Sequence, residues 1–197
     1  MKLFLVGGAG AGKDTVSRYL KEKYNFHQFA VADYLRYLVK ELYGDLDKME
    51  LRGRLLKMGH FFREYDEGCL CRVLEKEIKN RNMWGHGINV VISDIRLPYE
   101  WKYFFDREFV PVCLYVTEEI RQERLQGRDG QIHPDLLSDV TEKYRNTLPG
   151  WLIMNTDMDR MYKEVDLMIR SLRIQQEYTR TREDVEARFQ EKFGNKF

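Results

Sequence analysis

The chain has 197 residues with 33 basic against 32 acidic and 43% hydrophobic content, enough apolar material for one core and one compact domain. A formal charge of +1 supplies no general field for a polyanion or an anionic membrane, so neither nucleic acid nor a membrane is an expected partner, and any anion site must be local. Three cysteines, with Cys69-x-Cys71 lacking a second pair, read as reduced thiols of a cytoplasmic protein. The opening MKLFLV is too short an apolar run for a signal peptide or a membrane span.

In chain order, Leu3–Val6 is a short apolar run predicted as a strand, and it feeds Gly7-Gly8-Ala9-Gly10-Ala11-Gly12-Lys13. The Gly7-x-x-x-x-Gly12-Lys13 spacing is that of a phosphate-binding loop: glycines let successive N–H groups turn inward, and the following helix, Thr15–Tyr24, adds its positive end. Gly8, Ala9, Gly10, Ala11 and Gly12 would line the phosphates of a nucleoside triphosphate, with Lys13 reaching the β- and γ-phosphates. The residue after the lysine is Asp14, where a Ser or Thr usually meets Mg²⁺, and Thr15 lies about 100° further round the helix. Asp14 is thus either a metal-site carboxylate or an acid placed at a helix N-terminus.

A short strand at His27–Val31, helices at Tyr34–Leu42, Glu50–Tyr65 and Cys69–Asn80, and a turn at Trp84-Gly85-His86-Gly87 follow. Ile88–Ser93 is a third strand, and its apolar run ends in Asp94-Ile95-Arg96. In an open α/β sheet that acid stands at the ligand-binding edge, able to orient Mg²⁺ or its waters, while Arg96 faces phosphate; the alternative is an ordinary turn or capping acid. A helix near Tyr99–Arg107, a strand at Phe109–Val116 and a helix at Glu118–Gln126 come next. Arg121, Arg124 and Arg128 recur at three and four residues on one face, suited to stabilising phosphoryl transfer or else paired with Glu118, Glu119 and Glu123. A helix at Asp135–Asn146, a strand at Trp151–Met154 and a helix at Asp159–Leu172 complete an alternating pattern that predicts a parallel sheet covered on both faces. In the charged tail 173–197, Val185, Phe189 and Phe193 are spaced four apart and form a stripe that packs on its own domain or serves a homodimer.

Together these motifs resemble P-loop kinases of the nucleoside monophosphate kinase type, and most closely the phage-type deoxynucleoside monophosphate kinases. A P-loop ending in Gly-Lys-Asp-Thr is matched by Gly12-Lys13-Asp14-Thr15, and an Asp-Val-Arg-Phe-Pro-Asn-Glu stretch by Asp94-Ile95-Arg96-Leu97-Pro98-Tyr99-Glu100. Phe29–Arg36 looks like a monophosphate-binding segment, with Asp33 and Arg36 toward the acceptor, and Gly59–Arg63 is similar to a stretch whose arginine also approaches it. Arg124 and Arg128 resemble the arginines that flank a lid, and Asn155 that of a loop near the adenine of ATP.

The resemblance covers about residues 1–172 and implies a three-layer α/β/α P-loop kinase domain with five parallel strands in the order 2-3-1-4-5, the tail 173–197 being a helical extension. It implies ATP as donor and Mg²⁺ placed by Asp14 and Asp94, directly or through water. Lys13, Asp94, Arg124 and Arg128 would be the catalytic set, and Asp33, Arg36, Arg63 and Arg96 would hold a (deoxy)nucleoside monophosphate. Dephospho-coenzyme A kinases share the arginine helix and last strand, and animal-type phosphomevalonate kinases share Gly-Lys-Asp, so small-metabolite kinases are the alternative. A regulatory ATPase is the reading from another class; a GTPase lacks its Asn-Lys-x-Asp motif.

Overall fold

The computed structural model describes residues 1–85, 87–129, 144 and 146–194, and within these the side chains of residues 128, 129, 175–181 and 193 stand outside the description. The strands are β1 (Lys2–Val6), β2 (His27–Phe29), β3 (Val90–Ile95), β4 (Val110–Tyr115) and β5 (Trp151–Met154). The helices are α1 (Lys13–Tyr24), α2 (Asp33–Tyr43), α3 (Lys48–Tyr65), α4 (Cys69–Asn80), α5 (Pro98–Phe105), α6 (Glu118–Asp129), α7 (Met158–Arg173) and α8 (Gln175–Phe193). All five strands are parallel and run in the order β2-β3-β1-β4-β5, the predicted topology. The predicted helix Asp135–Asn146 falls almost wholly outside the described residues.

Strands buried on both faces explain why their sequences read as continuous apolar runs and not as alternation. On β1, Phe4 and Val6 join the core under α4, α5 and α8, whereas Leu3 and Leu5 join the core under α1 and α7. The first core holds Leu74 and Ile78 of α4, Trp101 and Phe105 of α5, and Val185 and Phe189 of α8. The second holds Val16 and Leu20 of α1 with Met161, Val165 and Ile169 of α7. Two of the three tail stripe residues are therefore used within their own domain. Among the described residues no helix is long and apolar enough to cross a membrane.

The strand limits differ from expectation where side chains capture the backbone. β2 stops at Phe29 because Ala30 N–H donates to Asp33 Oδ2 (2.9 Å) and Val31 N–H to Asp94 Oδ1 (2.6 Å), so the chain leaves the ladder early. β3 begins at Val90, since the Met1 ammonium donates to the Ile88 carbonyl and to Asn89 Oδ1 (3.0 Å each). It runs on to Ile95, paired with Val6 of β1. That pairing sets the loop after β1 beside the Asp94–Arg96 segment.

Candidate functional site

Gly12 caps α1 with φ 91° and ψ 19°, and Gly10 has φ 82°, left-handed conformations that only glycine adopts at little cost. Space is short as well. A side chain at position 10 would meet Arg121 Cγ at 3.1 Å and Leu125 Cγ at 3.2 Å, and one at position 12 would run into Asn155 Nδ2. The loop closes with Ala11 N–H donating to Gly8 O (3.2 Å). Lys13, the first residue of α1, donates its ammonium to the Gly7 carbonyl and to Gly8 O (2.8 Å). Asp14 is exposed in the first helical turn, where the helix dipole favours a carboxylate.

Two elements grip this loop from behind. Arg121, only 3% exposed, donates Nε and Nη2 to Glu118 (2.9 and 2.7 Å) and Nη1 to the Ala9 carbonyl (3.4 Å). It is thus the paired member of the arginine face and braces the loop. Asn155, also buried, donates Nδ2 to Ala11 O (2.7 Å), and Arg124 Nη2 donates to the Asn155 backbone carbonyl (3.1 Å) and Oδ1 (3.4 Å). The Arg124 Nη1 group is buried and has no hydrogen-bond partner among the described residues, about 4.0 Å from where a side chain at position 12 would begin. A donor left unsatisfied beside a phosphate-binding loop is matched to an anionic oxygen. Arg128 belongs to α6, but its side chain lies outside the described residues, and so does the loop beyond it.

Facing the loop across a cleft of about 880 Å³ is a second wall built from α2, α3 and the end of β3. Asp94 accepts the Val31 and Ala32 amides (2.6 and 2.9 Å), so it fastens the β2–α2 turn to the sheet edge. Asp33 accepts Ala30 N–H and, through Oδ1, Arg36 Nη1 (2.7 Å), both side chains being half exposed. Arg63 Nε and Nη2 donate to Glu100 Oε1 (3.2 and 2.7 Å). Burial works against the Arg63 charge, but Glu100 beside it and Asp94 further off outweigh that and hold its pKa above the ordinary value. Arg36, Arg63, Arg96, Asp33 and Asp94 all line the same cleft as Gly8, Gly10, Gly12, Lys13, Asp14, Thr15 and Arg124. These predicted donor and acceptor residues thus converge, as does Ala9, whereas Ala11 and Asn155 are buried and do not line the cleft.

Among the described residues no three His, Cys, Asp or Glu side chains gather to hold a metal by themselves. This donor set suits Mg²⁺ bound mainly by phosphates and water, with one or two carboxylates beside it. Asp14 is exposed at the cleft, and each Asp94 oxygen, having accepted one amide, keeps a second acceptor position.

Two participants stand in the quoted motifs without a site role assigned to them, Glu118 only as a pairing partner of the arginine face and Glu100 only as the last residue of the Asp94–Glu100 stretch. Glu118 has a visible signal in its spacing of three from Arg121. Glu100 stands at the third helical position of α5 after Pro98, a place where an acid reaches back to the amides before the helix. Its Oε2 accepts Arg96 N–H (3.0 Å) and Leu97 N–H (3.3 Å), while its bond to Arg63 spans 37 residues and no local pattern announces it.

An AAA domain family model matches residues 3–142, more than half of the chain. Among solved structures, TT1252 from Thermus thermophilus aligns with a TM-score of 0.57 at 18% identity, covering 86% of this chain and 96% of that one. A gluconokinase from Sinorhizobium meliloti 1021 aligns with a TM-score of 0.50 at 15% identity, covering 88% and 96%. At these identities the likeness establishes the shared fold.

Proposed function

The chain belongs to the AAA domain family, and on that premise we propose that it transfers the γ-phosphoryl group of Mg·ATP to a (deoxy)nucleoside monophosphate in the cytoplasm. The observation that carries this reading is one cleft with a phosphate-binding loop on one wall and Arg36, Arg63 and Arg96 on the other. Fold likeness to a gluconokinase agrees with phosphoryl transfer. A monophosphate arrives as a dianion, which arginines bind well through charge-assisted hydrogen bonds. A hydroxyl acceptor needs a base, and Asp33, the acid nearest that role, is committed to Arg36 and to the Ala30 amide.

In the proposed reaction an acceptor phosphate oxygen attacks the γ-phosphorus in line, the bond to the β,γ-bridging oxygen breaks, and ADP leaves. Lys13 and the loop amides hold the donor phosphates. Arg124 offers its Nη1, which no described residue engages, to the oxygens on which charge gathers, and Arg36 and Arg63 fix the acceptor. Asp14 and Asp94 would hold Mg²⁺, directly or through water, and the ion would neutralise phosphate charge when bound. Most of the rate enhancement then comes from position and preorganised charge.

The test is ADP release with each deoxy- and ribonucleoside monophosphate, dephospho-coenzyme A and phosphomevalonate as acceptor. At least one monophosphate should turn over, and Arg36→Ala should raise its KM roughly 10-fold or more, as loss of a charged hydrogen bond requires. Turnover of dephospho-coenzyme A alone, abolished by Asp33→Asn, overturns the assignment.

A further inference from the structure

Glu100 is 2% exposed, and a carboxylate this deep is stable only if its oxygens are fully used. Both are. Oε1 takes the Nε and Nη2 donors of Arg63 from α3, and Oε2 takes the backbone amides of Arg96 and Leu97 at the entrance to α5. One buried acid therefore ties together the segments that carry two arginines of the cleft. Arg63 remains 20% exposed and lines the cleft, and Glu100 engages two of a guanidinium's five N–H donors. A different nitrogen of the group depends on Gly59, since a side chain at position 59 would stand 2.7 Å from Arg63 Nη1 and displace it. Gly59 is buried on the same helix, one turn before Arg63.

We propose that Glu100 and Gly59 are positioning residues for the acceptor phosphate: they bracket the Arg63 guanidinium, so that the phosphate of the acceptor meets it in one orientation, while Glu100 also fixes the backbone on which Arg96 is carried. This rests on the reading of the second wall as the acceptor site. An arginine on a flexible stem loses affinity to the entropy of ordering, and a buried bidentate partner removes that loss before the ligand arrives. The role of Glu100 is therefore orientation, since its charge opposes that of the anion it helps to bind.

The test uses the full chain with Gly59→Ala and Glu100→Gln, each alone and combined with Arg63→Ala, and reads ATP KM, acceptor KM and kcat together with inorganic phosphate affinity by titration calorimetry. Gly59→Ala changes no charge and no capping contact, so it keeps the inference testable where Glu100→Gln unfolds the protein. Each single substitution should raise the acceptor KM roughly 10-fold and weaken phosphate binding with ATP KM unchanged; once Arg63 is Ala, Gly59→Ala should act no further and Glu100→Gln should keep only the smaller part that passes through Arg96. Unchanged acceptor KM and phosphate affinity in both, or an equal effect with Arg63 absent, overturns the positioning role. If the wild type phosphorylates no monophosphate, the proposed function fails instead, and phosphate titration of the same variants still decides whether Arg63 is a bracketed anion site.

Discussion

At the scale of single residues, several side chains do work other than their motif suggests, and the cause is competition for partners. Asp94 is spelled like a metal-site acid, yet two amides claim its oxygens. No amide among the described residues claims Asp14, which stands exposed at the cleft beside Lys13. This division predicts that Asp14 carries the greater share of the metal dependence. Asp14→Asn keeps size and polarity but removes the anionic oxygen, so the Mg²⁺ concentration for half-maximal activity should rise several-fold while metal-free nucleotide binding stays within about twofold. Magnesium titrations of wild type and variant check it; coincident curves would return Asp14 to the role of a helix-end acid.

The loop after β1 shows how an element acquires a requirement that its motif states only in part. The sequence shows glycines at positions 10 and 12, but not that α6 lies against one and the β5 loop against the other. Gly12→Ala meets both a left-handed backbone and Asn155 Nδ2, the group that holds the Ala11 carbonyl. Gly44 also has positive φ, at 74° with ψ −155°, but has nothing within 4 Å, so Gly44→Ala tests a strained backbone without a clashing neighbour, at about 1–3 kcal/mol. Calorimetric titration with ATP should show affinity falling more than about 10-fold for Gly12→Ala and unchanged for Gly44→Ala. Equal, small effects would mean that the contact with Asn155 does not shape the loop.

Elements were legible where local physics decides them. Buried parallel strands announce themselves as apolar runs, and α1, α4 and β5 begin or end within a residue or two of their patterns. The expected end of β2 and start of β3 are displaced by amide hydrogen bonds to Asp33 and Asp94 and by those that the Met1 ammonium donates, and the Asp94 and Met1 contacts arise only once distant segments meet. The same limit applies to the site: Lys13 and the loop glycines follow from spacing, whereas the links from Arg63 to Glu100 and from Arg124 to Asn155 join separate elements and no periodicity encodes them.

For the molecule as a whole, α8 closes the core on the α5 side. Phe189 is 1% exposed and stacks on Trp101 with ring centroids 4.3 Å apart and planes 9° from parallel, while Trp101 Nε1–H donates to the Pro149 carbonyl at 2.8 Å. Trp101 in turn follows Glu100, so the helix that covers this tryptophan supports the same α5 that anchors the cleft segments carrying Arg63 and Arg96. Truncating a buried phenylalanine costs about 3–5 kcal/mol, a large share of the total for a domain whose net stability is of order 5–15 kcal/mol. Phe189→Ala should therefore lower the thermal midpoint by roughly 10 °C, on the scale of about 2–4 °C per kcal/mol for a chain of this size. Because Phe189 is not among the residues that line the cleft, kcat of the folded variant at low temperature should stay within about twofold of wild type. Thermal unfolding followed by circular dichroism, with activity at 15 °C, separates the two effects. An unchanged midpoint would show that α8 does not seat on Trp101 in solution, whereas a large fall in kcat with the fold intact would give the tail a direct part in the site.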